Sequence, residues 1–495
     1  MAVVFPLNAT LLIFFVLSKY SLLEIPMLLQ KVWYFKFQQL LAMLSITLLG
    51  GCSAIPTMVP DMAMHPAKAV QLDGAHGPLS PKQTKQILAK LEKNGADTNI
   101  FDKHLALEAE IVGSPLVVGN QVQLLVDGPS TYNAMFAAIE SAKDHINMET
   151  FIIENDEIGQ HFIDILVSKQ RNGVQVNLIY DSVGSMNTPK EFFVPLIESG
   201  GNVLEFNPIN PLNSRKSWEV SLRDHRKLLI VDGGTAFVGG INISSVYSSG
   251  SRGSGSFRKS KSGEGKVPWR DTHLRMSGPV VSEFQKLFIA TWHQQKGEPL
   301  TVKKYFPETG SQGNEVVRAI GSSPDEPYSQ IYSTLLSAIN SAETQVFLTN
   351  AYFVPDPQLL ASLKDAVERG VDVRLLLPAK TDSALVFYAS RSYYDELLSA
   401  KVKIYERQDA LLHAKTALID GVWSTVGSTN LDWRSFVHNQ EINAVILGQS
   451  FGTQMQVLFE KDLQSSKEIT LETWRKRSIS TRIKERAARL WARWL

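Results

Sequence analysis

Two stretches of the chain, "DHRKLLIVDG" (Asp224–Gly233) and "LHAKTALIDG" (Leu412–Gly421), each contain His-x-Lys-x4-Asp, and little else in them repeats letter for letter. His225 and Lys227 stand two residues apart, as do His413 and Lys415. On a strand, that spacing puts an imidazole and an ammonium on one face and turns the residue between them away. Apolar "LLIV" and "TALI" continue the two strands, and Asp232-Gly233 and Asp420-Gly421 end them in turns. A second strand follows in each copy, "TAFVGGIN" and "WSTVGSTN", so Asn242 and Asn430 stand ten residues beyond their aspartates. Each copy thus offers a histidine, a lysine and an asparagine, an electropositive set suited to one phosphate.

A phosphodiester has a shielded phosphorus and a poor leaving group, and covalent catalysis splits its displacement into two easier steps. One neutral imidazole can attack phosphorus in line while a second, protonated one gives its proton to the departing oxygen. Histidine suits both tasks because it titrates near neutrality. Lysines and asparagines would hold the equatorial oxygens as charge redistributes. This chemistry calls for no cofactor. The ten histidines include no His-x-x-x-His pair and there is no cysteine cluster, so no metal site is expected.

The elements that must position these residues are themselves repeated. "ESAKDHINMETFI" (Glu140–Ile152) parallels "NSAETQVFLTNAYFV" (Asn340–Val354), a helix end feeding a strand. The amphipathic helices "GQHFIDILVSKQRNG" and "DPQLLASLKDAVERG" come next, each leading into a buried parallel-type strand, "GVQVNLIYD" or "GVDVRLLLP". The His-x-Lys segments follow in the same order, so the chain holds a duplicated α/β domain rather than a solenoid. Boundaries are expected at 120–312 and 313–465, after a tether and one helix within 52–119 that starts at Ser80-Pro81 and stops before Gly95.

At 495 residues, 44% hydrophobic and 20% charged, the composition is that of an ordinary globular protein. The formal charge of +1 gives no global signal for a nucleic-acid partner. One cysteine, Cys52, excludes an intramolecular disulfide. It ends the segment "MLLQKVWYFKFQQLLAMLSITLLGGCS", in which two lysines precede the uncharged run Leu40–Leu49 and then Gly50-Gly51, the pattern of a secretory signal. A free cysteine beside a membrane helix is the alternative. Val3–Leu17 is a second uncharged run, so either translation starts at Met27 or the chain carries two hydrophobic N-terminal segments.

The full pattern, His-x-Lys-x4-Asp-x6-Gly-(Gly/Ser)-x-Asn twice in register, resembles the signature of the phospholipase D superfamily, over nearly all of residues 120–465. That resemblance implies two mixed-sheet αβα halves related by a pseudo-two-fold axis, with one active site between them. It implies His225 as nucleophile and His413 as acid/base, an order the residues alone leave open. Asp232 and Asp420 are counted with the catalytic set, although such aspartates more often hold the strand and turn. Asp271, in "WRDTHLRMSGPVV", and Glu441, in "HNQEINAVIL", match acids that orient the histidines. "METFIIENDEIG", "YDSVGS", "WRDTHLRMSGP", "NAYFVPD" and "STNLDWRSF" look specifically like bacterial cardiolipin synthases. The implied activity is transfer of a phosphatidyl group between phospholipids such as phosphatidylglycerol. Hydrolysis to phosphatidic acid and, more remotely, a nuclease are the alternatives. "LGGC" resembles a bacterial lipoprotein lipobox, which implies lipidation of Cys52 and an anchored protein facing the periplasm. Ser53 after it favours the outer membrane.

Two segments fall outside that pattern. Ser248–Lys266 is rich in glycine and serine with five basic residues and one acid, and reads as a solvated linker, with a lid or an anionic-membrane contact as the alternatives. From Trp474 to Leu495 there are eight basic residues and one acid, with Ile479, Ile483, Ala487, Leu490 and Trp494 at helical spacing. Such a helix either lies on a membrane surface or packs its apolar side on its own domain.

Overall fold

The two copies of the motif sit on matching strands of one continuous sheet. The structure is a computed structural model that describes residues 69–93, 98–210, 221–248 and 267–494, without the side chain of Arg493. The N-terminal signal-like segment, Cys52 and most of the glycine/serine-rich insertion lie outside these residues. Helix α1 (Pro81–Lys93) begins as its sequence suggests: Ser80 Oγ accepts from Gln83 N, and Gln83 Oε1 accepts from Ser80 N at 3.1 Å.

The first half runs β1 (Leu116–Leu125), α2 (Gly128–Ser141), β2 (His145–Thr150), α3 (Glu157–Arg171), β3 (Gln175–Asp181), β4 (Asn202–Phe206), β5 (Lys227–Val231), β6 (Thr235–Gly239), β7 (His273–Ser277) and α4 (Val281–Gln294). Its strand order is β4-β3-β2-β5-β6-β7-β1, parallel through β4-β3-β2 and antiparallel from there on. The second half runs β8 (Glu315–Ser322), α5 (Gln330–Ser341), β9 (Gln345–Asn350), α6 (Pro357–Glu368), β10 (Asp372–Pro378), α7 (Ala384–Arg391), β11 (Lys403–Arg407), β12 (Lys415–Ile419), β13 (Trp423–Gly427), β14 (Asn439–Leu447) and α8 (Gln449–Gln464). Its order, β11-β10-β9-β12-β13-β14-β8, repeats the first with the same directions. β1 and β8 pair antiparallel and join the two sheets edge to edge.

Local chemistry makes the equivalent helices start alike. Asp127 accepts from Ser130 N at 2.9 Å ahead of α2, and Ser329 caps α5. Asp156 accepts from Ile158 N and Gly159 N ahead of α3, and Asp356 from Leu359 N ahead of α6. Alternation along the motif strands sorts side chains between two cores. Leu229 and Val231 face an outer core under α2 and α3, whereas Leu228 and Ile230 face a central core. In β12, Ala417 and Ile419 face the outer core of the second half, and Leu418 faces the same central core. That central core takes Phe284 and Phe288 from α4 and Phe451 and Phe459 from α8, so the two halves share it.

Candidate functional site at the seam of the two halves

Each histidine is delivered by a two-residue strand that pairs with the other half. Arg223–Asp224 pairs in parallel with Asn439 and Gln440, and His225 N donates to Gln440 O at 2.9 Å. The next residue on that partner strand is Glu441. Its carboxylate therefore arrives beside the imidazole, with His225 Nδ1 3.0 Å from Oε1 and 3.1 Å from Oε2. Leu411–Leu412 pairs in the same way with Trp269–Arg270, and His413 N donates to Arg270 O at 2.7 Å. Asp271 follows, its Oδ2 2.6 Å from His413 Nδ1. In sequence each acid trails the histidine of its own copy. In space it serves the histidine of the other.

The carboxylates are fixed differently. Ser428 Oγ donates to Glu441 Oε2, and Asn439 Nδ2 donates to Oε1 at 3.1 Å. The position matching Ser428 is Gly240, where a Cβ would come within 2.3 Å of Asp271 Oδ1. That oxygen instead accepts from Thr272 N at 2.7 Å. Close approach to the acid thus favours glycine at 240, while Gly239 and Gly427 are crowded by the neighbouring strand at Thr272–His273 and Ile442–Asn443.

Lys227 and Lys415 turn their Nζ atoms onto the carbonyl oxygens of His225 and His413, two residues back. The intervening Arg226 points away, as strand alternation requires. Its Nε donates to Glu441 O at 3.1 Å and its Nη1 to Thr291 Oγ1 at 2.8 Å. Asn242 Oδ1 accepts from Ile152 N at 3.2 Å, while its Nδ2 donates to Tyr247 OH at 3.2 Å. Tyr247 OH lies 3.2 Å from His413 Nδ1, so a polar path from Asn242 crosses the seam. Asn430 Oδ1 is buried without a hydrogen-bond partner among the described residues.

Three neighbours escaped sequence reasoning. The Phe151 ring packs edge-on to His225 at 4.9 Å and holds Lys227 Nζ 5.1 Å from its centroid. Trp269 lies 5.2 Å from the His413 ring, and Tyr247 is the third. Tyr247 follows Asn242 and Trp269 precedes Asp271 closely, whereas Phe151 directly follows β2 far from the motif, and none belongs to both copies, so the duplication gave no signal for them.

Burial shapes the electrostatics. It lowers His225 to about 4, against the pull of Glu441, and lowers His413 too, with Lys415 adding to the shift and Asp271 opposing it. It also lowers Lys227 to about 7 and Lys415 to about 8. Burial pushes Glu441 and Asp271 up, but the histidines and lysines beside them outweigh it and hold both carboxyls below their usual range. The resting site thus pairs ionised carboxylates with neutral imidazoles. Each imidazole donates Nδ1–H to its acid, which leaves the Nε2 lone pair for other work.

Asp232 and Asp420 stand apart from this group, each turned to backbone amides of its own half. β5 and β12 carry them away from the histidines, roughly 16 Å along five residues of extended chain. Asp232 accepts from Lys143 N, Asp144 N and His145 N at 2.8–3.0 Å, and Asp420 from Glu343 N, Thr344 N and Gln345 N. They sit at φ 52° and 49°, each followed by a glycine at φ 61° or 66°, the left-handed pair a tight hairpin needs. Their carboxylates tie that hairpin to the start of β2 or β9.

A duplicated sheet with paired His-Lys sets meeting at its seam defines a phospholipase D-like protein. The family described as "Cardiolipin synthase, PLD-like domain" matches residues 135–255 and 335–463, one block per half. The chain belongs to that family. It is 35% identical over 389 residues to a cardiolipin synthase of Geobacillus kaustophilus (strain HTA426), covering 78% of this chain and 74% of that one. It is 36% identical over 381 residues to a cardiolipin synthase of Listeria monocytogenes serotype 4a (strain HCC23), covering 76% of each. Among solved structures it resembles a phosphatidylserine synthase of Haemophilus influenzae Rd KW20, with a TM-score of 0.57 at 14% identity. That match covers 78% of this chain and 98% of that one, and speaks to the fold.

Proposed function

We propose that the protein is a phosphatidyltransferase of the cardiolipin synthase type, working through a phosphohistidine on His225. The crossed histidine–carboxylate pairs carry this reading, because they bring both motifs to one place and leave a free Nε2 on each ring. His225 Nε2 attacks the phosphorus of a bound phosphatidylglycerol, and the bond to the departing glycerol oxygen breaks. His413, protonated at Nε2 once the phosphate charge is beside it, gives that oxygen its proton. A hydroxyl of a second phosphatidylglycerol then passes its proton to His413 and attacks the same phosphorus. Cardiolipin leaves and His225 is restored.

Lys227, Lys415, Asn242 and Asn430 would hold the phosphate oxygens through both steps. An arriving phosphate also raises the lysine pKa values, so the ammonium forms are complete when they are needed. Asp271 and Glu441 orient the rings. Hydrolysis to phosphatidic acid differs only in whether water or a lipid hydroxyl reaches the phosphohistidine. Lipidation of Cys52 and a periplasmic position would bring the site to a membrane, and their test is metabolic labelling with a fatty acid in Cys52→Ser.

The purified protein is expected to convert labelled phosphatidylglycerol to cardiolipin and glycerol. Phosphatidic acid as the main product would make it a hydrolase. His225→Ala and His413→Ala should each lower turnover by about 10⁴-fold or more with folding intact. Substantial activity left in either variant contradicts the shared site.

A further inference from the structure

The C-terminal helix turns its apolar stripe away from the protein. Helix α9 (Ile479–Arg489) is capped by Ser478, whose Oγ accepts from Thr481 N at 3.2 Å, and it packs on α7. The side it buries consists of Glu485 and Ala488, extended by Ala492 in the turn that follows. Glu485 accepts there from Arg477 Nε at 2.8 Å. Helical spacing sets Ile479, Ile483 and Leu490 on the opposite side. Ile479 is 75% exposed, Leu490 71% and Trp494 75%. Arg482, Arg486 and Arg489 run beside this stripe and, with Arg475, line a cavity of about 430 Å³.

An ordinary surface helix buries its apolar face and wets its polar one. This helix leaves its apolar stripe exposed beside its arginines and buries Glu485 and Ala488 instead. Isoleucine and leucine flanked by tryptophan and a row of arginines suit a headgroup boundary, where apolar stems enter the acyl layer and guanidinium groups meet phosphate. Eight basic residues against one acid between Trp474 and Leu495 favour an anionic surface over a neutral one. The location fits as well. α7 begins just after Asp382, which accepts from Tyr352 OH at 2.6 Å and contributes to the field on His413 and Lys415. The turn bearing Trp494 touches the short helix Trp433–Val437, three residues past Asn430.

We propose that α9 and the turn after it form a docking surface for an anionic phospholipid bilayer, setting the rim of the active site against the lipid phase. The binding part of this proposal stands on geometry alone, and only its effect on turnover rests on the function proposed above.

The test uses the full chain with Leu490→Cys in a Cys52→Ser background, carrying an environment-sensitive fluorophore. Vesicles of phosphatidylcholine mixed with phosphatidylglycerol should shift the emission to the blue, and nitroxide-labelled lipid should quench it. Vesicles of phosphatidylcholine alone should do neither. Arg482→Gln with Arg486→Gln should weaken the response by about 25-fold. A probe that ignores anionic vesicles, or responds equally to both kinds, overturns the proposal. So does a blue shift that grows with protein concentration without lipid, because a second copy then covers the stripe.

A second arm measures turnover in Ile483→Asp/Leu490→Asp, whose sites are exposed and whose melting should match the parent's. Short-chain, water-soluble phosphatidylglycerol should be consumed at the parent's rate, and bilayer phosphatidylglycerol roughly tenfold or more slowly. Equal loss on both substrates rejects docking. A parent inactive on both substrates would sink the proposed function and leave the fluorescence result standing.

Discussion

Each histidine faces a different acid, so substituting the acids one at a time can tell the two rings apart. Each carboxylate raises the pKa of the imidazole it faces. A nucleophile works deprotonated and sets the acid limb of the rate profile, whereas a proton donor sets the alkaline limb. Glu441→Gln should therefore move the acid limb of kcat to lower pH, and Asp271→Asn should move the alkaline limb to lower pH. Each should cost roughly 10²–10⁴-fold in kcat. The opposite assignment of shifts in a pH–rate series would exchange the roles of His225 and His413. Lys227 permits a separate test through stability. Its folded pKa of about 7 lies below the ordinary 10.5, so between those values the unfolded chain binds more protons. Stability contributed at this position is lowest below pH 7 and climbs as pH rises towards 10.5. Lys227→Met should raise the unfolding free energy by about 2–4 kcal/mol at pH 6, with the gain fading above pH 9. The same variant should be nearly inactive. A destabilised Lys227→Met at pH 6 in calorimetry would contradict the cost of burying this ammonium.

At the scale of elements, the aspartate that completes each His-x-Lys-x4-Asp is a brace for its hairpin. Asp420→Ala removes a charged acceptor from three backbone amides at the start of β9. It should lower stability by about 2–3 kcal/mol in a denaturant titration while the folded fraction keeps most of its kcat. A kcat loss comparable to that of His413→Ala would return Asp420 to the chemistry. The helices and strands were legible because apolar periodicity, helix caps and Asp-Gly turns are local, and the duplication states each one twice. The exchange of acids between halves was not, because it depends on two-residue strands at Arg223–Asp224 and Leu411–Leu412 that carry no periodic signal. Tyr247, Phe151 and Trp269 were missed for the complementary reason: each occurs in one half only. The stripe on α9 is visible in the sequence as a face, but its direction depends on what the opposite face can bury, and Glu485 finds Arg477 only in three dimensions.

For the whole molecule, duplication created a site that neither half contains. Glu441 stands beside His225, Asp271 beside His413, and Arg226 reaches across to Glu441 O and Ser322 O. Phe284 and Phe288 of the first half share the central core with Phe451 and Phe459 of the second, and β1 pairs with β8. Opening the seam would expose that shared core to water and break both histidine–carboxylate pairs. The halves should therefore unfold together. Arg226→Met is the sharpest probe, because it strips a cation from beside Glu149, 3.9 Å away, and from the buried Asp224. It should lower the unfolding free energy by about 3–5 kcal/mol, yet leave one transition that coincides by fluorescence and circular dichroism. Two separated transitions in this variant or its parent would mean that each half is a domain in its own right, with the crossed pairs a weak contact between them.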